Sequence, residues 1–469
     1  MKMASITRYT KMAYDKADDI VFGHAKHPVS YGFGIKVGAG RVIPELNYAP
    51  RPGTEKDIAR ITKEYVDYIS QDAVNRAVTL GFPDLQLETE WISQMGTNSK
   101  MAESIVSGQT ALLEKMHDKY GINLAIRHTL PDQREADQGL RPKMDKERSY
   151  PERLLISAEI ACENGASLIS VESMGGKELL DYGVQMGDIT ACLFGIGYCG
   201  SLDMSWLWPQ LVDIAKKNKV TPGGDTNCSG ANTSMFMAGG FLDNDVQRTF
   251  SAVTRAFASA RTLVAWECGA TGPDKDCGYE GPICKTIAGK PNAQEGKNCQ
   301  CAHADLQGNL MAQICDVWSN ESVEYHSEFG GSSVQCWLGS LGYEVALMNT
   351  AIAFGKQKTL RDLYMFTDRA RGPEGYILAY DNAFKIGQAI VAEGKNLYLR
   401  AKAAGLTAAK LIRDGNKKKE LLLTAKQKDV LDSIIKTLEK LPDEESKFVD
   451  YCLKQYKDVP AFNPKNYDL

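Results

Sequence analysis

The chain has no uninterrupted apolar run approaching the roughly 20 residues of a membrane-spanning helix, which excludes a transmembrane protein. Its first residues, Met-Lys-Met-Ala-Ser-Ile-Thr-Arg-Tyr-Thr, hold no apolar core of the signal-peptide kind, so a cytoplasmic protein is expected. An excess of positive charge is also missing. The formal net charge is −4 and the pI about 6.0, leaving no footprint for nucleic acid and no pull toward an anionic membrane. There is no Cys-x-x-Cys among the 12 cysteines, which removes zinc-ribbon and thioredoxin-type motifs. Gly195-Ile-Gly197, which with Gly200 has the Gly-x-Gly-x-x-Gly spacing, reads as a turn near a strand end and not as the fingerprint of a dinucleotide-binding sheet. Internal repeats and low-complexity tracts are absent too.

What is present is a long alternation of helical and extended patterns. Residues 56–79 place Ile58, Ile61, Val66, Ile69 and Ala73 at helical spacing, and Gly81 ends that run. Leu85–Glu88 reads as a strand, 100–119 as a helix and Ile122–Arg127 as the next strand. Pro151 opens another helix, as proline can at a first helical position, and Leu168–Glu172 follows as a strand. Helices are expected at 178–186, 205–218 and 243–260, and strands near 191–197, 220–222 and 263–266. Parallel strands need helical crossovers, so this alternation implies a parallel sheet. The number of units favours an α/β fold of the TIM, or (β/α)8, barrel kind over 56–374. Residues 1–55 read as an N-terminal extension, with the Gly- and Pro-rich stretch 38–53 an ordered loop or cover. Residues 375–469 read as a C-terminal helical extension broken near Asp414–Glu420.

Five polar residues fall at or just past the ends of strand-like runs: Glu88, His128, Glu172, Asp225 and Glu267. Barrel enzymes keep their chemistry at that end of the strands, though each residue could also cap the next helix. Three side chains stand out as metal donors. They are Glu172 in Ser-Val-Glu-Ser-Met-Gly-Gly (170–176), Cys228 in Gly-Gly-Asp-Thr-Asn-Cys (223–228) and Cys277 in Asp-Cys-Gly-Tyr-Glu (276–280). Two thiolates and a carboxylate make a zinc set with one position left for water or substrate. Their spacing is that of whole βα units rather than of a zinc finger, so three loops must converge. Cys162, Cys192, Cys315 and Cys452 read as small buried apolar residues, and Cys299-Gln-Cys301 is one weak metal-type pair.

The wording around these residues carries a resemblance. Ser-Val-Glu-Ser-Met-Gly-Gly-Lys-Glu (170–178), Gly-Asp-Thr-Asn-Cys (224–228), Lys-Asp-Cys-Gly-Tyr-Glu (275–280) and Trp-Ser-Asn-Glu-Ser-Val-Glu-Tyr-His (318–326) resemble the zinc subunits of methanol:corrinoid methyltransferases. So do Asn-Tyr-Ala-Pro-Arg-Pro-Gly (47–53) and Leu-Tyr-Leu-Arg-Ala-Lys (397–402), and the likeness covers nearly the whole chain. It implies a TIM barrel with zinc at the bottom of a funnel, held by Glu172, Cys228 and Cys277. It implies methanol as substrate and, as methyl acceptor, a corrinoid (a cobamide) carried by a partner protein. Pairing of the zinc subunits as a homodimer within a larger complex is also implied, as is an acidic cluster round the metal. For that cluster the sequence nominates Asp225, with Glu267 and Glu280 behind it; His128 is a further candidate for holding a proton nearby. Cys268 and Cys299 are extra thiols that the resemblance does not call for.

Two other readings stand beside this one. The same scaffold could take methyl from an aryl methyl ether or a methylated amine. Alternatively, zinc could be purely structural, closed by a fourth protein ligand such as Cys268 or His326.

Overall fold

Seven parallel strands form the central sheet. The computed structural model describes residues 6–134, 150–241, 246–296, 299, 307–322, 327–328 and 331–469. Strands β1 (His24–Tyr31) and β2 (Ile35–Ala39) pair antiparallel as a hairpin outside the sheet. The sheet is built from β3 (Ile43–Tyr48), β4 (Asp84–Glu90), β5 (Asn123–Leu130), β6 (Leu168–Val171), β7 (Thr221–Asp225), β8 (Ala293–Glu295) and β9 (Val317–Ser322). Its order is β7-β6-β5-β4-β3-β9-β8, so β4 lies at the centre and the sheet's first strand in sequence, β3, is inserted between β4 and β9. Helices cross between successive strands. Ser99–Tyr120 is typical: Asn98 caps its first turn by accepting from the Met101 N–H, and Gly121 ends it at φ 69°.

The gap between the two edge strands is not empty. Thr271 and Gly272 donate backbone N–H bonds to Pro222 and Gly223 of the β7 edge, at 2.8 and 2.9 Å. On the other side Glu295 of β8 donates to the Asp276 carbonyl at 3.1 Å. Arg127, fully buried on β5, joins the interior: it reaches Glu45 of β3 at 2.8 Å, Ser170 of β6 at 2.8 Å and the Asp274 carbonyl at 2.7 Å.

Three sequence readings are corrected. The stretch read as a loop at 38–53 contains β3, whose six residues are all buried. A strand covered on both faces has no polar–apolar alternation, and Pro44 disguises it further. Residues 191–197 are helical, split between Ile189–Cys192 and the wider turn Leu193–Cys199. Leu263–Trp266 is not a strand but the last turn of the helix Arg248–Glu267. A short apolar run cannot tell a buried helix from a strand, and both segments are buried on every side.

The C-terminal residues are helical as expected, with a break after Lys417. The helix Leu397–Lys417 lies close on Arg248–Glu267: a Cβ at Gly405 would come within 2.0 Å of the Phe257 ring. Tyr398 stacks on Phe448 at 3.9 Å between centroids, a contact of about 0.5–1.5 kcal/mol beyond burial. Among the described residues no helix is long and apolar enough to cross a membrane.

Candidate metal centre

Glu172, Cys228 and Cys277 meet. One ligand atom from each lies within 4.8 Å of the others. Donors about 2.0–2.3 Å from a zinc ion stand up to roughly 4.6 Å apart, so one ion fits between them with small movement. Glu172 directly follows β6, Cys228 lies three residues past β7, and Cys277 follows the segment that runs between β7 and β8. The Cys277 thiol donates to Glu172 Oε1 at 3.0 Å. Burial, and then the neighbouring Cys228 and Glu172, push the Cys277 thiol well up. Burial and then Glu90 push Glu172 up to about 7. A cation bound here would take the place of the protons on Cys277 and Glu172, as metal binding does at a ligand set.

The loops are fixed by specific contacts. The turn after Glu172 needs glycine at 176: φ is 82°, and a Cβ would sit 2.1 Å from the Gly195 carbonyl oxygen. The Gly176 N–H donates to the Tyr467 hydroxyl at 2.8 Å, so the C-terminal end of the chain holds this turn. Asn232 holds the two cysteine loops together. Its amide donates to Cys228 Sγ at 3.3 Å and to the Cys277 carbonyl at 3.2 Å. Arg255 in turn donates to Asn232 Oδ1.

The other nominated residues lie elsewhere. Asp225 is 1% exposed, and both its oxygens are engaged. One forms an ion pair with Arg261 at 3.0 Å and accepts from Ser173, and the other accepts from Trp208 Nε1 at 2.8 Å. It ties the loop of Glu172 to the end of β7, which is a positioning contact. Glu280 is bound by Arg255 at 2.9 Å and Thr262 at 2.6 Å. Burial acts to raise its carboxyl, but Arg255 and Thr262 hold it below its ordinary value. Glu267 ends a helix rather than a strand, and pairs with Arg8 and Arg400 at 2.7 Å each. It anchors the chain termini to that helix. His128 points away from the interior, because side chains alternate along a strand and its neighbours Arg127 and Thr129 are the ones bonded to Glu45 and Glu88. Its Nδ1 accepts from Trp91 at 3.0 Å, and burial takes its pKa down to about 3, so it is neutral.

The acidic groups that share Lys275 with Glu172 are different ones. Lys275, 1% exposed, stands 3.0 Å from Glu88, 3.8 Å from Glu172 and 4.0 Å from Glu90, and pairs with Asp276. Glu45, Glu88 and Asp276 form a second close group, and Glu295, Cys299 and Glu321 a third. Glu88, read as a strand-end residue, does face the interior. Sequence reasoning missed Lys275, Asn232 and Arg255. Lys275 carried a signal, as a lysine wedged beside Asp276 and Cys277. Asn232 and Arg255 carried none. Cys268 lies at a helix end outside all three groups, and His326 and Cys301 lie outside the described residues.

Fold and site define a parallel α/β protein whose strand ends bring together two cysteines and a glutamate that could hold one metal ion. The family model described as methanol-cobalamin methyltransferase B subunit matches residues 6–468. The chain is 48% identical over 461 residues to the methanol–corrinoid protein co-methyltransferase of Methanosarcina barkeri (strain Fusaro / DSM 804), covering 98% of this chain and 99% of that one. It also superposes on a chain in the crystal structure of the methanol:cobalamin methyltransferase complex MtaBC from Methanosarcina barkeri. There the TM-score is 0.93 and the identity 46%, covering 99% of this chain and 100% of that one. The chain belongs to the methanol-cobalamin methyltransferase B subunit family.

Proposed function

We propose that this protein activates methanol and passes its methyl group to the cobalt of a reduced corrinoid carried by a partner protein. The observation that carries the reading is the meeting of Glu172, Cys228 and Cys277, within 4.8 Å of one another at the strand ends. Zinc bound there would act as a Lewis acid, drawing charge onto the alcohol oxygen as the C–O bond breaks. Residues of the chain do the rest. The two cysteines and Glu172 would supply negative charge that moderates the ion, so the alcohol would keep its proton and its oxygen would depart as hydroxide, becoming water only on taking a further proton from solvent. Lys275 holds Glu88, Asp276 and Glu172 in one buried array and keeps their charges from repelling each other. Asp225 and Asn232 fix the ligand loops, so the donors need little rearrangement to close on the ion.

The barrel is closed, in this reading, by the 271–276 segment acting as an eighth stave; its backbone bonds to both edge strands support that. A cytoplasmic homodimer within a larger complex belongs to the same proposal. Tyr343 and Phe354, 84% and 77% exposed on and just after one helix, provide apolar surface of the kind found at protein contacts. Sedimentation of the isolated chain at micromolar concentration tests the pairing.

The deciding experiment is methylation of cob(I)alamin by methanol. Transfer is expected with about one zinc at this centre per chain, to stop when a chelator removes the metal, and to return on adding zinc. Transfer undiminished after the metal is gone would reject the reading. A second expectation concerns Asn232→Ala. Removing the donor to the Cys228 sulfur should weaken zinc binding by about 10–100-fold, the usual cost of losing a ligand's hydrogen-bond partner. Competition against a coloured chelator measures it.

A further inference from the structure

Glu295, Cys299 and Glu321 lie outside the Glu172 centre, and one donor atom from each comes within 4.8 Å of the others. Two adjacent parallel strands supply the carboxylates. Glu295 ends β8 opposite Ser319, and Glu321 lies two residues further along β9, on the same face by alternation. Cys299 turns back over them. Its backbone N–H bonds the Gly296 carbonyl at 2.9 Å, and its sulfur accepts the Glu321 N–H at 3.3 Å.

The group contains three acids and, among the described residues, no ion pair within contact distance of any of them, although the Lys275 charge acts on both glutamates from further off. Glu295 is wholly buried. Its Oε1 accepts from the Tyr279 hydroxyl at 2.7 Å, while its Oε2 has no partner at all. A carboxylate oxygen stripped of water and given nothing in exchange is unfavourable. A proton held between Glu295 and Glu321 would bridge the two carboxyls but leave the Cys299 sulfur out. A cation drawn to all three donors would satisfy the orphan oxygen as well.

We propose that Glu295, Cys299 and Glu321 form a second site for a divalent transition-metal ion, separate from the Glu172–Cys228–Cys277 centre. The mixed thiolate and carboxylate donors select the ion class. Calcium and magnesium prefer all-oxygen shells, whereas zinc, cobalt(II) and iron(II) accept one sulfur and two oxygens. Binding deprotonates the thiol and releases the carboxyl proton to solvent, leaving thiolate and carboxylates on the metal. Glu321 is half-buried, so the site opens toward solvent on that side.

The test is metal counting on the full chain, stripped with chelator, reloaded with zinc alone and dialysed metal-free. Wild type should keep about two zinc ions per chain, and Cys299→Ser, Glu295→Gln and Glu321→Gln about one each, since each removes a donor. Cys228→Ser should also keep one, held at the second site. Cobalt(II) gives an independent signal: in a Cys228→Ser/Cys277→Ser protein, thiolate-to-cobalt absorption should persist and then vanish when Cys299→Ser is added. Glu321→Gln, at the more exposed position, guards against a misfolded core variant, with circular dichroism as the check. A wild type that holds a single zinc, lost in Cys228→Ser, would overturn this site and leave the methanol reading intact. A second ion that survives all three substitutions would overturn it too.

Discussion

Cys277→Ala is expected to slow methanol-dependent methylation of cob(I)alamin by about a thousandfold or more. A Lewis acid supplies several kcal/mol at the breaking bond, and each 1.36 kcal/mol is tenfold in rate. The substitution leaves only Glu172 and Cys228 at the centre, one donor short of the three protein ligands of a catalytic zinc. Cys277 is 3% exposed and its thiol contacts Glu172 at 3.0 Å, so no water-borne ligand slips easily into its place. Zinc at this centre should fall with the rate, while the circular dichroism spectrum stays native. Cys268→Ala is the matched control. That thiol is also buried, but it sits at the end of the helix Arg248–Glu267, outside every donor group. A Cys277→Ala protein that kept both its zinc and its rate would remove Cys277 from the centre.

That Glu172, Cys228 and Cys277 meet was legible from their chemistry together with the family resemblance of the wording around them, since spacing alone does not bring three loops together. Few residue types bind zinc, and these three sat in polar, glycine-rich turns after strand-like runs. The acidic surroundings were not legible, for a different reason. Asp225 and Glu280 were nominated for being near the cysteines in sequence. Whether a carboxylate faces a metal or an arginine depends on the helix packed behind it. Here Arg255 and Arg261, both on Arg248–Glu267, claim Glu280 and Asp225. Glu45 was hidden because β3 looked like a loop. His128 and Arg127 differ by one position, and one position in a strand is the difference between the interior and the helix layer. Glu267 was misplaced for want of a helix boundary. Every residue from Thr249 to Glu267 is buried, so no polar face marks where that helix continues.

Arg255→Met should destabilise the protein by about 3–5 kcal/mol, the cost of breaking a buried ion pair from one side. Arg255 is fully buried and works in three directions. Its Nη1 binds Glu280 at 2.9 Å, its Nε binds Glu374 at 2.8 Å, and its Nη2 binds Asn232. Methionine fills similar volume but leaves two carboxylates, from different parts of the chain, without their cation. Glu280 keeps the Thr262 hydroxyl and the Asn227 N–H, so the larger share of the loss falls on Glu374. Arg255→Lys should recover little, because one ammonium cannot reach three acceptors spread around a planar fork. Urea unfolding measures the loss as a lower midpoint. The metal centre provides the second readout. Without Arg255 the Asn232 amide loses the partner that aims it at Cys228, so zinc binding should weaken as in Asn232→Ala. If Arg255 acts on the metal through Asn232, the double variant binds zinc no more weakly than Asn232→Ala alone. Fully additive losses in that cycle would show that the two residues act on Cys228 by separate routes, and the Glu280–Arg255–Asn232–Cys228 connection would fall.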